Sequence, residues 1–244
     1  MKDIYQKNFS KNAKTYDAYA NLQKISAHML LDNLPSHPIS SILDLGCGTG
    51  LYTEKLCEIF KKAHITAIDF APSMIEYAKQ KTHLNVHWIL SDIETYERQN
   101  QYDLITSNAC FHWLSDLSPI LKKYKATLSK RGTLLFSYFG PQTFYEWQKI
   151  LSTTISAARF QTLADIQSAM KPLFPKTYFK EILVQKCYPS LLDLLKAIKY
   201  TGTKGAHLNM TWSPTLIRRL EASYIAMWGE IRATYQIFCI RGML

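Results

Sequence analysis

Apolar positions along the chain follow two rhythms. Short apolar runs alternate with longer stretches that repeat every three to four residues. Leu22, Ile25, Met29, Leu30 and Leu34 share helical spacing, which predicts a helix stopped by Pro35-Ser36-His37-Pro38. Ser41-Ile42-Leu43-Asp44-Leu45 is a compact apolar run ending at Gly46 and reads as a strand covered on both faces. A helical pattern continues to about Lys62. Strands are then expected at Ile65–Ile68, Leu84–Leu90, Tyr102–Ser107 and Gly132–Tyr138, with a helix near Pro72–Lys81. Strands alternating with helices over this span predict an α/β fold built on a doubly wound, mostly parallel sheet.

The rhythm changes after residue 140. Trp147, Ile150, Leu151, Ile155, Leu163, Ile166 and Met170 predict a helical stretch over 142–175, closed by Pro172 and Pro175. It is expected as an insertion over one face of the sheet. A strand at Phe179–Lys186, helices at Leu191–Tyr200 and Pro214–Trp228, and a final strand at Thr234–Ile240 follow. The expectation is one domain in four parts: helices over 1–35, a core over 36–140, the insertion over 141–176, and the rest of the sheet over 177–244.

With 244 residues, 47% of them hydrophobic, the chain can bury a core without disulfide or metal staples. No apolar run approaches the roughly 20 residues of a spanning helix. The opening residues lack the apolar stretch of a secretory signal. Five dispersed cysteines (Cys47, Cys57, Cys110, Cys187, Cys239) form no C-x-x-C pair. They predict buried thiols in a reducing cytoplasm and no metal site. The net charge of +10 is uneven: residues 111–244 carry eighteen Lys/Arg against seven Asp/Glu. Such a half suits an acidic partner or simply a solvated lysine surface. Without an Arg-rich tract, nucleic acid is the weaker option.

Candidate chemistry concentrates in Leu43-Asp44-Leu45-Gly46-Cys47-Gly48-Thr49-Gly50. A G-x-G after a strand lets the chain turn tightly and brings backbone N–H groups near a ligand. The spacing is G-x-G-x-G, and Asp44 puts a carboxylate beside the loop. That suits a cationic ligand and repels the pyrophosphate of a dinucleotide. Asp69 closes the second strand, where an acid accepts the two hydroxyls of a ribose. Asp92-Ile93 after the third strand offers an acid and an aliphatic side chain to an adenine.

This ordered set resembles the class I S-adenosylmethionine-dependent methyltransferases, with Asp69-Phe70-Ala71-Pro72-Ser73-Met74 and Ala78 similar to their second-strand signature. The resemblance implies a seven-stranded sheet with an antiparallel last strand and an N-terminal lid. It implies that Gly46, Gly48 and Gly50 pass under the methionine moiety of S-adenosyl-L-methionine and that Asp69 takes the ribose. Met74 then packs on the adenosine, Asp92 and Ile93 meet the adenine, and Asn108 lies at the carboxypropyl end. Asp44, Cys47 and Phe70 complete the expected cofactor-binding set, with no chemistry assigned to the Cys47 thiol.

The similarity extends beyond the cofactor half. Phe9-Ser10-Lys11-Asn12-Ala13 with Tyr16-Asp17, Ala20 and Gln23 resembles the opening of the malonyl-acyl-carrier-protein O-methyltransferases of biotin synthesis. So do Phe111-His112-Trp113-Leu114-Ser115-Asp116, the segment 132–140 with Thr143 and Glu146, Arg159-Phe160, Leu195–Gly202 and Thr234-Tyr235. His112 stands where that family carries Gln, and Ala158 where it carries Asn. The implied reaction is methyl transfer to the free carboxylate of a malonyl thioester. The implied partner is an acidic carrier protein bearing it on a phosphopantetheine arm.

A carboxylate with a pKa near about 4 is ionised at neutral pH, so such a reaction needs no general base. It needs an anchor, and the planar fork of Arg159 is the candidate. Tyr16 is either a second contact or a core aromatic. His112 is either a polar wall or a structural histidine, and Trp113 packs first and lines the pocket second. Lys171, Lys176, Lys180 and Lys204 are candidates to meet the carrier. The rival readings are a methyltransferase for another metabolite or tRNA, and a cofactor-binding regulator without catalysis. Against tRNA, Asn108-Ala109-Cys110-Phe111 stands where an Asn-Pro-Pro-Tyr element is expected.

Overall fold

Strand β1 (Ser41–Leu45) is buried along almost its whole length, so it needs neighbours on both edges and cover on both faces. The computed structural model, which describes residues 2–81, 85–97, 101–151, 160–200 and 212–244, supplies both. β1 pairs in parallel with β2 (His64–Asp69) and with β4 (Tyr102–Ser107). β3 (Val86–Leu90) extends the sheet beyond β2, and β5 (Leu128–Phe139) extends it beyond β4. β7 (Ile231–Met243) runs antiparallel to both β5 and β6 (Lys176–Tyr188), giving seven strands in the order β3-β2-β1-β4-β5-β7-β6. β6 lies at an edge and alternates exposed and half-buried positions. Its Lys176, Lys180, Glu181 and Lys186 discourage pairing with another chain.

Alternate residues of the central strands feed two cores. Ile42, Leu104, Leu135 and Ile237 face one side, where α2 (Asn21–Leu31), α3 (Leu51–Ile59), α6 (Tyr145–Leu151), α8 (Leu191–Tyr200) and α9 (Pro214–Trp228) pack. Leu43, Leu45, Ile105, Leu134 and Phe136 face the other, covered by α5 (Leu117–Ala126) and α7 (Leu163–Met170). The stretch expected as one insertion over one face is therefore divided. Trp147 of α6 joins the first core, while Ile166 and Met170 of α7 join the second. Local signals set the helix starts: Asp116 accepts from Ser118 N–H, Thr162 and Asp165 form a capping box, and Ser213 precedes Pro214 at the first helical position.

Helix α1 (Lys2–Tyr19) is held to the body by polar bonds to five other segments. Asp17 accepts from Thr49 Oγ1 at 2.5 Å and pairs with Lys81 of α4 (Pro72–Lys81) at 2.8 Å, while its carbonyl accepts from Lys24 Nζ. Gln6 Nε2 donates to the Phe70 carbonyl at 2.6 Å, and Asn12 Nδ2 to that of Lys199 at 3.2 Å. Tyr19 stacks on Tyr200 with ring centroids 4.6 Å apart. These bonds place α1 over the ends of β1 and β2.

Candidate functional site

The strand ends, the loop after β1 and α1 enclose a cleft of about 1050 Å³, open on one side. Its walls include Asp44, Gly46, Cys47, Gly48, Asp69, Phe70, Met74, Asp92, Ile93 and Asn108, ten of the eleven residues expected to hold a cofactor. Gly50 is the exception. It is the N-cap of α3 at φ +78°, and a Cβ there would lie 2.9 Å from Trp88, so this glycine serves helix–sheet packing.

The backbone of the glycine loop is spent internally. Gly46 and Cys47 N–H both donate to the Ile68 carbonyl at 2.8 and 3.0 Å. Gly48 N–H donates to Asp69 Oδ2 at 2.9 Å, and Gly50 N–H to the Cys47 carbonyl at 3.0 Å. The expectation that this loop turns its amides toward a ligand is corrected. What the glycines supply is backbone shape and space. Gly46 (φ +73°) lies so close to Cys110 that a Cβ would collide with its Sγ, whereas a Cβ on Gly48 (φ +54°) would meet no protein atom within 4 Å.

Two buried acids give the cleft its sign. Asp44 accepts from Thr53 Oγ1 at 2.6 Å through Oδ2, while its buried Oδ1 has no partner. Burial pushes its carboxyl up to about 7, with the neighbouring Asp69 adding to the shift. Asp69 takes Gly48 N–H on one oxygen and Ala71 N–H, at 2.8 Å, on the other. Burial raises it to about 6 against the pull of those bonds. The Phe70 backbone adds a third hydrogen bond, and the ionised carboxylate keeps acceptor capacity beyond these. Cys47 and Cys110 also line the cleft, and burial pushes both thiols up, so neither is a thiolate nucleophile.

Asn108 has a tethering role that its position in sequence did not disclose. Its Oδ1 accepts from Ser26 Oγ at 2.6 Å and Ser137 Oγ at 2.9 Å, and its Nδ2 donates to the Gln23 carbonyl. It ties α2 to β4 and β5 while forming part of the cleft wall. The structure also adds Phe9, Gln23, Thr49, Leu51, Tyr52, Glu94, Ala109, Cys110 and Leu114 to that wall. Phe9 and Gln23 belong to the opening motif. Tyr52, one residue into α3, bonds Thr106 at 3.0 Å and carried no sequence signal.

A second chamber of about 620 Å³ shares Phe9, Tyr16, Gln23, Ala109 and Trp113 with the first. Phe9 meets Tyr16, Phe70 and Trp113 edge-on at 6.4, 6.3 and 5.7 Å, forming an aromatic partition. Burial, with Asp69 and Asp17 nearby, pushes the Tyr16 phenol up, so it stays a neutral hydroxyl. His112 is buried on a single 3-10 turn (Phe111–Trp113) among Trp113, Tyr138, Phe139 and Phe160, and lines only the second chamber. Arg159 and Ala158 lie outside the described residues. Lys176 sits at the opposite end of β6 from Tyr188, which lines the chamber, Lys171 caps the end of α7, and Lys204 is outside the described residues. A strand residue advances about 3.3 Å, so roughly 40 Å separates Lys176 from Tyr188. Among the described residues no group of three or more His, Cys, Asp or Glu could hold a metal, and no helix is long and apolar enough to cross a membrane.

Strand order, an antiparallel seventh strand and a ligand cleft at the carboxyl ends of β1 and β2 define a class I methyltransferase fold. Residues 42–132 match the family model described as a methyltransferase domain. Solved structures of the same fold include the plantazolicin methyltransferase BpumL in complex with SAH (TM-score 0.56, 16% identity, 99% of this chain and 97% of that one). Another is the N-methyltransferase NodS from Bradyrhizobium japonicum in complex with S-adenosyl-L-homocysteine (TM-score 0.59, 16% identity, 98% and 97%). The chain belongs to the malonyl-[acyl-carrier protein] O-methyltransferase family. It is 36% identical to the member from Anoxybacillus flavithermus (98% of this chain, 96% of the relative) and 35% identical to that from Acetivibrio thermocellus (98% and 93%).

Proposed function

We propose that this protein is an S-adenosyl-L-methionine-dependent O-methyltransferase that esterifies the free carboxylate of malonyl-acyl-carrier protein. The observation that carries the cofactor reading is the cleft floor. A buried carboxylate oxygen of Asp44 has no partner among the described residues, and the amides of Gly46, Cys47, Gly48 and Gly50, which would greet a phosphate, are already bonded. A cation fits there and a diphosphate does not. Asp69 keeps acceptor capacity for a ribose diol, and Gly48 leaves the space that a side chain would fill. Met74 packs on the adenosine, Asp92 and Ile93 border the adenine, and the aromatic partition offers ring faces to a sulfonium. When bound, S-adenosyl-L-methionine supplies an activated methyl group on a positive sulfur.

The acceptor then needs aiming and drying more than it needs acid–base help. A malonyl carboxylate is already ionised at neutral pH. Holding it in line and excluding water can supply roughly 7–11 kcal/mol of the barrier. Phe9, Tyr16 and Trp113, which border both cavities, place the meeting point of the two reactants. Arg159 remains our candidate for the carboxylate clamp, and the basic half 111–244 for electrostatic steering of an acidic carrier. The family relatives carry the acceptor's identity in their names. The deciding experiment is a transfer assay with methyl-labelled cofactor against malonyl-carrier protein, malonyl-coenzyme A and bulk tRNA. Ester formation on the malonyl carrier is expected, and label on tRNA alone would overturn the reading.

A further inference from the structure

The second chamber is lined mainly by aromatic and aliphatic groups, and among the described residues no carboxylate is in its walls. Its one ammonium among the described residues belongs to Lys186 of β6. That ammonium sits 5.1 Å from the centre of the Tyr188 ring and has no carboxylate partner among the described residues. Beside it, the Tyr188 and Tyr235 hydroxyls bond each other at 2.8 Å. Two O–H groups sharing one mutual bond leave one hydrogen unspent, whichever of them donates. Burial raises the Tyr188 phenol and holds Tyr235 well above its ordinary value, so both protons stay on at working pH. An unpaired cation and a spare O–H donor thus border one aromatic enclosure. An anion placed in such surroundings is stabilised more strongly by a nearby charge than it would be in water.

We propose that Lys186, with the Tyr188–Tyr235 hydroxyl pair, is the counter-charge site that recognises the acceptor's carboxylate. This rests on the methyltransferase reading above and adds to it a specific anion-selecting group on β6. Lys186 acts here as a binding residue. It keeps the acceptor ionised inside the chamber and selects anionic acceptors, while the methyl donor is held in the neighbouring cleft by other residues. No proton moves to or from Lys186 in this role.

The test compares wild type with Lys186→Met, Lys186→Arg and Tyr188→Phe. Transfer to malonyl-carrier protein is measured against pH, and S-adenosyl-L-homocysteine affinity by calorimetry. Lys186→Met is expected to raise KM for the malonyl thioester at least tenfold and to move the acidic limb of the kcat profile upward, because the bound carboxylate loses its counter-charge. Product-cofactor affinity should stay within twofold. Lys186→Arg should recover most of the loss, and Tyr188→Phe should show a smaller rise in KM. Wild-type KM and an unmoved pH limb in Lys186→Met would overturn the assignment while leaving the proposed function standing. A wild-type enzyme that methylates no malonyl thioester would overturn both.

Discussion

Replacing Asp69 removes two things at once, and the structure separates their sizes. In the unliganded chain its carboxylate clamps the glycine loop through Gly48 N–H and the start of α4 through Ala71 N–H. A bond to a charged acceptor contributes about 1.5–3 kcal/mol, and the carboxylate repays part of this in desolvation, as its rise to about 6 records. Asp69→Ala should therefore cost about 2 kcal/mol of stability, which in a chain of this length lowers Tm by roughly 4–8 °C. Loss of two charge-assisted bonds to a ribose diol costs at least about 3 kcal/mol, or a hundredfold or more in cofactor Kd. Asp69→Asn keeps one acceptor oxygen and should fall between wild type and Asp69→Ala in both measurements. Thermal melts without ligand and calorimetry with S-adenosyl-L-homocysteine read the two terms independently. A cofactor Kd within threefold of wild type in Asp69→Ala would refute the diol assignment. An unchanged Tm would refute the loop clamp.

Two further outcomes follow from the same cleft. Asp44 and Asp69, raised to about 7 and about 6 from ordinary values near 4, make the unliganded native chain bind more protons than the unfolded one between those values. Their contribution to stability is therefore full below about pH 4 and is lost as pH rises through 6 and 7. A cationic ligand that also donates hydroxyls favours both charged forms, so its binding should release protons near pH 6.5 and tighten as pH rises. Calorimetry in two buffers of different ionisation heat measures this, and proton uptake would contradict it. The loop glycines should part company: Gly46→Ala combines positive φ with collision against Cys110 and should cost about 2–4 kcal/mol of stability. Gly48→Ala should cost about 1 kcal/mol yet impair cofactor binding more, and equal losses of stability at the two positions would count against the assigned geometry.

The central strands were legible because β1, β2 and β4 are buried on both faces, β1 stopping at Gly46 and β2 at Asp69. Edges were less so. β5 starts at Leu128, four residues before the expected Gly132, because exposed Lys130 and Arg131 interrupt its apolar run while Leu128 still pairs with Tyr102. β6 and β7 extend several residues past the expected 179–186 and 234–240, since an antiparallel pair at the sheet edge tolerates the polar positions that seem to end a strand. The 142–175 stretch shows the limit of periodicity: it reports that a helix has an apolar face, not which side of the sheet receives it. In the cleft, residue types and spacing, together with the family resemblance they support, located ten wall residues. The donation of loop amides to Ile68 and Asp69 depends on backbone direction, which no side-chain pattern encodes.

Phe9 and Tyr16 project from one helix into the wall between two cavities, and that helix is fastened through Asp17, Asn12 and Gln6 to three separate parts of the body. Occupancy on either side of such a shared wall steadies it for the other side. Donor and acceptor are then thermodynamically linked, each tightening the other by the same factor. Loosening the Asp17 fastening should erode both affinities together, so an amino-terminal helix sets how well the two halves of the reaction keep company.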